Sequence, residues 1–137
     1  MLQRLSGLLG IIALGVLCGV SSHASAGDAP DEATLKLGQR SFMLCISCHS
    51  VEENGRDKIG PNLWHVFGRK AGTKPDFKYS DAVKKSDVTW NDATMDEWIS
   101  NPMKFIPGTK MAFRGIDKEE NRKALIAYLK RETSTSK

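Results

Sequence analysis

Apolar positions recur at helical spacing in three stretches of the chain, and no segment shows the convincing alternation of a strand. The first stretch runs from about Asp31 to Leu44. Pro30 and two acids mark its start, and Leu35, Gly38 and Phe42 share one face. The second follows Asn91, a good N-cap, and aligns Met95, Trp98 and Ile99 until Asn101-Pro102 stops it. The third begins at Asp117, with Glu120 three residues on in the capping-box position, and carries Leu125, Tyr128 and Leu129 on one face. Ser80 to Lys85 reads as one further short turn. The pattern predicts an all-α domain of three main helices plus short helical turns.

Between the first two helices, Ser50 to Tyr79 has no periodicity and is dense in turn formers: Gly55, Gly60, Pro61, Gly68, Gly72 and Pro75. So long a loop inside a compact domain has to bury something besides its own backbone. A large cofactor wrapped by the loop meets that need.

The first residues stand apart from this domain. Arg4 gives a positive start, Leu8 to Val20 form an apolar or glycine run, and Ala24-Ser25-Ala26 offers small residues for cleavage. Residues 1–26 are therefore expected to be a cleaved export signal, leaving 27–137 as the domain. The run is short for a transmembrane helix, which needs about 20 apolar residues. An uncleaved signal that anchors the chain to the membrane is the alternative. Cys18 leaves with the signal, so the mature chain keeps only Cys45 and Cys48.

Composition narrows the partners. The 137 residues are 40% apolar and 26% charged, as one globular domain would be. Losing Arg4 lowers the formal charge from +4 to +3. That bias weakly favours acidic protein partners, and no basic run of the nucleic-acid-binding kind is present. A domain this small buries little surface for its size and gains from a cofactor at its centre.

The chemistry concentrates in "FMLCISCHS", where Cys45, Cys48 and His49 form a CxxCH segment. The spacing lets two thiols reach the two vinyl groups of haem while the following imidazole turns towards the iron. Three alternatives stand beside haem attachment. A zinc site needs further ligands, and His65 is the only other histidine once His23 has left. A disulfide across two residues is strained, and a redox dithiol expects a βαβ setting. Of the methionines, Met95 lies on a helix stripe, and Met43 and Met103 lack a presenting turn. Met111 follows Pro107-Gly108 on a loop without periodicity and reads as a second iron ligand.

The segments "CISCH", "GPNLWHVFGRKAG", "TW", "FIPGTKMAF" and "LIAYLK" together resemble class I cytochrome c, close to mitochondrial cytochrome c and bacterial cytochromes c2. The likeness covers about Gly38 to Arg131. It implies the cytochrome c fold, with long loops wrapping one covalent haem c. Cys45 and Cys48 would form the thioethers, with His49 the proximal and Met111 the distal ligand. The Pro61 carbonyl would accept the ring N–H of His49. Arg69, Tyr79 and Trp90 match residues around the haem propionates, Thr109 one near the buried propionate, and Phe113 an aromatic at the haem edge. Gly38 and Phe42 match the crossing of the terminal helices against Leu125 and Tyr128. Without the resemblance, Trp90 and Tyr79 would read as core aromatics, Arg69 as a surface charge and Phe113 as filler.

Several positions depart from the family pattern. Phe42 stands three residues before Cys45, a spacing similar to bacterial members, and with the export signal this points to the periplasm. Val83 replaces an asparagine near the haem and should make the Met111 side of the pocket drier. Leu44 and Met103 occupy common lysine positions and Asp117 stands near another, while Lys58, Lys104, Lys110 and Lys118 remain as a docking ring. The resemblance implies a soluble, monomeric one-electron carrier between redox complexes, with no catalysis of its own. The alternatives are an electron-entry subunit bound permanently to one dehydrogenase or oxidase, and a haem enzyme with a displaceable sixth ligand.

Overall fold

Cap chemistry starts most of the helices. In the computed structural model, which describes residues 29–134, the Asp31 side chain accepts the Thr34 N–H at 2.6 Å and opens α1, Glu32–Phe42. Ser80 does the same for α2, Asp81–Lys85, through the Val83 N–H. Asn91 and Thr94 form a reciprocal capping box at the head of α3, Asp92–Ser100. The export signal expected at 1–26 lies outside the described residues.

Two helix starts differ from the sequence reading. Asn101-Pro102 ends α3, since the Asn101 N–H bonds Glu97 O at 3.3 Å. The same Asn101 then caps α4, Pro102–Phe105, by accepting the Lys104 N–H, with Pro102 in the first turn where it has no N–H to waste. Met103, read as lacking a turn, therefore sits on α4. The last helix, α5, spans Glu119–Glu132 with Lys118 as its N-cap and no side-chain cap bond. The capping box expected from Asp117 and Glu120 does not form. Arg122 holds the Ile116 and Asp117 carbonyls with Nη1 while it grips the Asp96 carboxylate on α3 with Nε and Nη2. That grip keeps Asp117 ahead of the helix.

The core forms where α1 crosses α5. Gly38 lies so close to Ala124 and Tyr128 that a Cβ on it would sit 2.6 Å from Tyr128 Cβ. Phe42 and Tyr128 stack at 5.6 Å between centroids, and Leu125 is fully buried. Trp98 on α3 packs between Trp90 and Phe105 at 5.5 and 6.3 Å.

The loop from Ser50 to Tyr79 has no helix and contributes only a single antiparallel bridge, Lys70 to Thr89. Around that bridge Gly68 N–H bonds Trp90 O, Trp90 N–H bonds Arg69 O, and Ala71 N–H bonds Val88 O. These bonds pair this part of the loop backbone and bring Arg69 beside Trp90. Among the described residues no helix is long and apolar enough to cross a membrane.

Candidate cofactor site

The CxxCH segment continues the winding of α1. Cys45 N–H bonds Phe42 O at 2.8 Å, and His49 N–H bonds Cys45 O at 2.9 Å, so Cys45 and His49 lie one turn apart. Both thiols are half-buried, and the two cysteines are not joined to each other. Burial, with Cys48 beside it, pushes the Cys45 thiol up to about 11. A reactive redox dithiol needs the opposite shift.

His49 is buried, and its Nδ1 lies 2.7 Å from the Pro61 carbonyl oxygen. A carbonyl only accepts, so Nδ1 carries the proton and Nε2 keeps a lone pair. Nε2 has no hydrogen-bond partner among the described residues and retains accessible surface. Burial holds the imidazole below its ordinary value and Lys58 adds to that, outweighing the Pro61 bond. That shift favours the neutral ring, the form a metal ligand requires. Gly60 forms its cradle: a Cβ there would lie 2.7 Å from Nδ1 and 2.8 Å from Nε2.

The loop that carries Pro61 is fastened by residues the sequence reading did not single out. Asn62 is 2% exposed, and its amide nitrogen donates to Ser50 Oγ, Glu52 O and Gly55 O at 2.8 to 2.9 Å. Its Oδ1 accepts the Trp64 N–H at 2.6 Å. Asp57 accepts the Asn62 N–H and pairs with Lys74. Loop cross-contacts of this kind have no periodic signature; only the Gly60-Pro61-Asn62 run hints at them. Lys58, expected in the docking ring, lays its ammonium on Ile46 O at 2.7 Å and His49 O at 3.3 Å.

The remaining candidates fall into two groups. Arg69 donates to Trp64 O and Asn62 O, Trp90 is buried beside it, and burial raises the Tyr79 phenol above its ordinary value. The Trp90 indole N–H donates to no acceptor among the described residues. Thr109 is buried and its hydroxyl accepts the Met111 N–H at 3.2 Å, which leaves its own proton free to donate. Gly108 packs against Ala82 on α2, so the Met111 loop leans on the helix that carries buried Val83. Cys45, Tyr79, Met111 and Phe113 are all half-buried against one apolar cluster.

A neutral imidazole with a free Nε2, two adjacent thiols, a loop thioether and an apolar lining fit a haem better than a zinc ion. Among the described residues no cluster of three His, Cys, Asp or Glu side chains could hold a metal. The fold and site define a c-type haem protein.

Comparison with known proteins is specific. The family model for cytochrome c matches residues 35–132, and the chain belongs to that family, in its class I. It is 51% identical over 100 residues to a cytochrome c of Gibberella zeae, covering 72% of this chain and 94% of that protein. A cytochrome c of Chlamydomonas reinhardtii is 45% identical over 114 residues, 82% and 96% of the two chains. A cytochrome c-550 of Bradyrhizobium diazoefficiens is 51% identical over 82 residues, 60% of each. The cofactor is covalently bound haem c, and the chain is a haem-containing electron carrier.

Proposed function

We propose that the chain is an exported one-electron carrier of the periplasm, with residues 1–26 removed and 27–137 acting as a soluble monomer. Haem c, when bound, supplies the ferric/ferrous couple. Cys45 and Cys48 would hold it covalently, and His49, through Nε2, and Met111, through its thioether, would ligate the iron. The observation that carries this reading is the short His49–Pro61 hydrogen bond, which fixes the tautomer and directs the free nitrogen away from protein partners. A thioether is a poor donor to ferric iron, so Met111 and burial raise the potential. With His49 and Met111 both holding the iron, no substrate would reach the metal.

Arg69, Tyr79, Trp90 and Thr109 supply donors for the propionates, and Phe113 packs at the haem edge. Lys58, Lys104, Lys110 and Lys118 steer the exposed edge towards acidic faces of redox complexes. No role with nucleic acid follows.

A reduced-minus-oxidised spectrum of the exported protein, repeated with cyanide and carbon monoxide, tests these points together. The expected result is a low-spin c-type spectrum that neither ligand perturbs quickly. Absence of a c-type haem would sink the proposal, and rapid binding would favour a haem enzyme with a displaceable sixth ligand.

A second reading, a subunit held permanently by one dehydrogenase or oxidase, is favoured by one surface feature. Met43, Leu44, Ile46 and Ile59 are 63%, 59%, 43% and 82% exposed, and they gather on the CxxCH segment and the loop tied to it. Co-purification as a stable complex would select that reading.

A further inference from the structure

Pro61 and Asn62 share one peptide group, and both of its polar ends are engaged. The carbonyl oxygen takes the His49 Nδ1–H at 2.7 Å, and the N–H donates to Asp57 Oδ1, also at 2.7 Å. The other carboxylate oxygen, Oδ2, takes the Lys74 ammonium at 2.9 Å, with the two side chains about one quarter exposed, 23% for Lys74 and 25% for Asp57. Hydrogen bonds at opposite ends of one amide reinforce each other. A carboxylate accepting the N–H draws the proton away from nitrogen and shifts electron density onto the carbonyl oxygen.

We propose that Asp57 is a positioning residue for electron transfer: through the Pro61–Asn62 peptide its carboxylate polarises the carbonyl that holds His49, making the imidazole a stronger iron donor and lowering the reduction potential. This rests on His49 being the iron ligand and deepens that reading. A stronger donor stabilises ferric iron more than ferrous, which sets the sign.

The surroundings favour a relay over a simple staple. The Asn62 amide group is bonded to four partners of its own, Ser50, Glu52, Gly55 and Trp64, so the peptide keeps its orientation whether or not Asp57 is charged. Arg69 Nη2 lies on the far side at Asn62 O, 3.4 Å away. Lys74 competes for the same carboxylate, and the Asp57–Lys74 pair therefore governs how much charge reaches the peptide.

The test uses the purified holoprotein. Asp57→Asn keeps an oxygen for the Asn62 N–H but gives up the charge; Lys74→Met leaves the carboxylate without its competitor. Two quantities are read: the reduction potential, and the His49 Nδ1–H proton resonance in the diamagnetic ferrous state. Asp57→Asn is expected to shift the equilibrium towards ferrous by about threefold to tenfold, tenfold being 59 mV for one electron, and to move the resonance upfield. Lys74→Met should move both the other way, and it carries the test alone if Asp57→Asn does not fold.

A shifted potential with an unmoved His49 resonance means that the charge acts only through space, and overturns the relay. If neither quantity moves, Asp57 is a loop staple and the proposal also falls. A wild-type protein without a histidine-ligated low-spin spectrum would overturn both this inference and the ligand assignment.

Discussion

His49 rests its imidazole directly on Gly60: a Cβ at that glycine would come within 2.7 Å of the ring nitrogen that donates to Pro61. The backbone has no room to retreat, because Gly60 N–H is bonded to Cys48 O at 2.8 Å and Gly60 O to Lys58 N–H at 2.9 Å. Gly60→Ala should therefore tilt the ring off Pro61 and cost about 1–3 kcal/mol, the usual penalty for overpacking. A urea midpoint unchanged from wild type, with an unchanged visible spectrum, would show that the cradle is looser than this contact requires.

Local signals were legible in the sequence, and contacts across the loops were not. Asn91 was readable as a cap because capping is local, Asp31 and Ser80 only as the places where a helix and a short turn begin, and Cys45, Cys48 and His49 because their chemistry demands a fixed spacing. Asn101 ends α3 as read, but the same residue also opens α4, which the pattern did not announce. Asp117 misled because Arg122, tied to Asp96 across 26 residues, claims its carbonyl. Pro61 was legible as a turn former, but its role as the acceptor for His49 entered by resemblance alone. Nothing in the chain's pattern pairs Asp57 with Lys74, 17 residues away, because loop contacts follow no period.

Arg122 makes a second prediction. It is 13% exposed and joins α3 to the entry of α5 through a two-pronged ion pair with Asp96 and two backbone carbonyls. Arg122→Met leaves the half-buried carboxylate and both carbonyls without their donor. Removing one partner of a buried pair costs about 3–5 kcal/mol, and the 30% exposure of Asp96 places this site towards the lower figure. Denaturant unfolding should show it. Arg122→Lys, unable to form the fork, is expected to recover only part of the loss.

Asp57 gives stability a pH dependence. Burial pushes its carboxyl up, but the Asn62 N–H and the Lys74 ammonium, with the Arg69 field behind them, outweigh that and hold it below the ordinary value of 3.8. A group depressed in the folded state contributes stability that is fully present above its unfolded value and lost as pH falls through the folded one. The melting-temperature gap between wild type and Asp57→Asn should stay constant from neutral pH down to about pH 4–5, then close at lower pH. A gap that persists undiminished at pH 2 would show that the ion pair is not its source.

Docking should depend weakly on salt. Leu44 and Met103 are 59% and 52% exposed at positions where the resemblance implies lysine, and Ile59, next to the Lys58 that bonds the CxxCH segment, is 82% exposed. Lys58 is held by the Ile46 and His49 carbonyls, so of the proposed docking ring Lys104, Lys110 and Lys118 are the cations with no such tether among the described residues. Exposed charges are screened over about 10 Å at 0.1 M salt, so the rate should fall only shallowly as ionic strength rises. Leu44→Lys with Met103→Lys restores two cations, and should accelerate reaction with membrane-held redox partners at low salt while steepening the salt dependence. The measurement is the oxidation rate of the ferrous protein by washed membranes over a range of ionic strength. A wild-type slope as steep as that of the double variant would mean that electrostatics, rather than the apolar face at Leu44 and Ile59, controls the encounter.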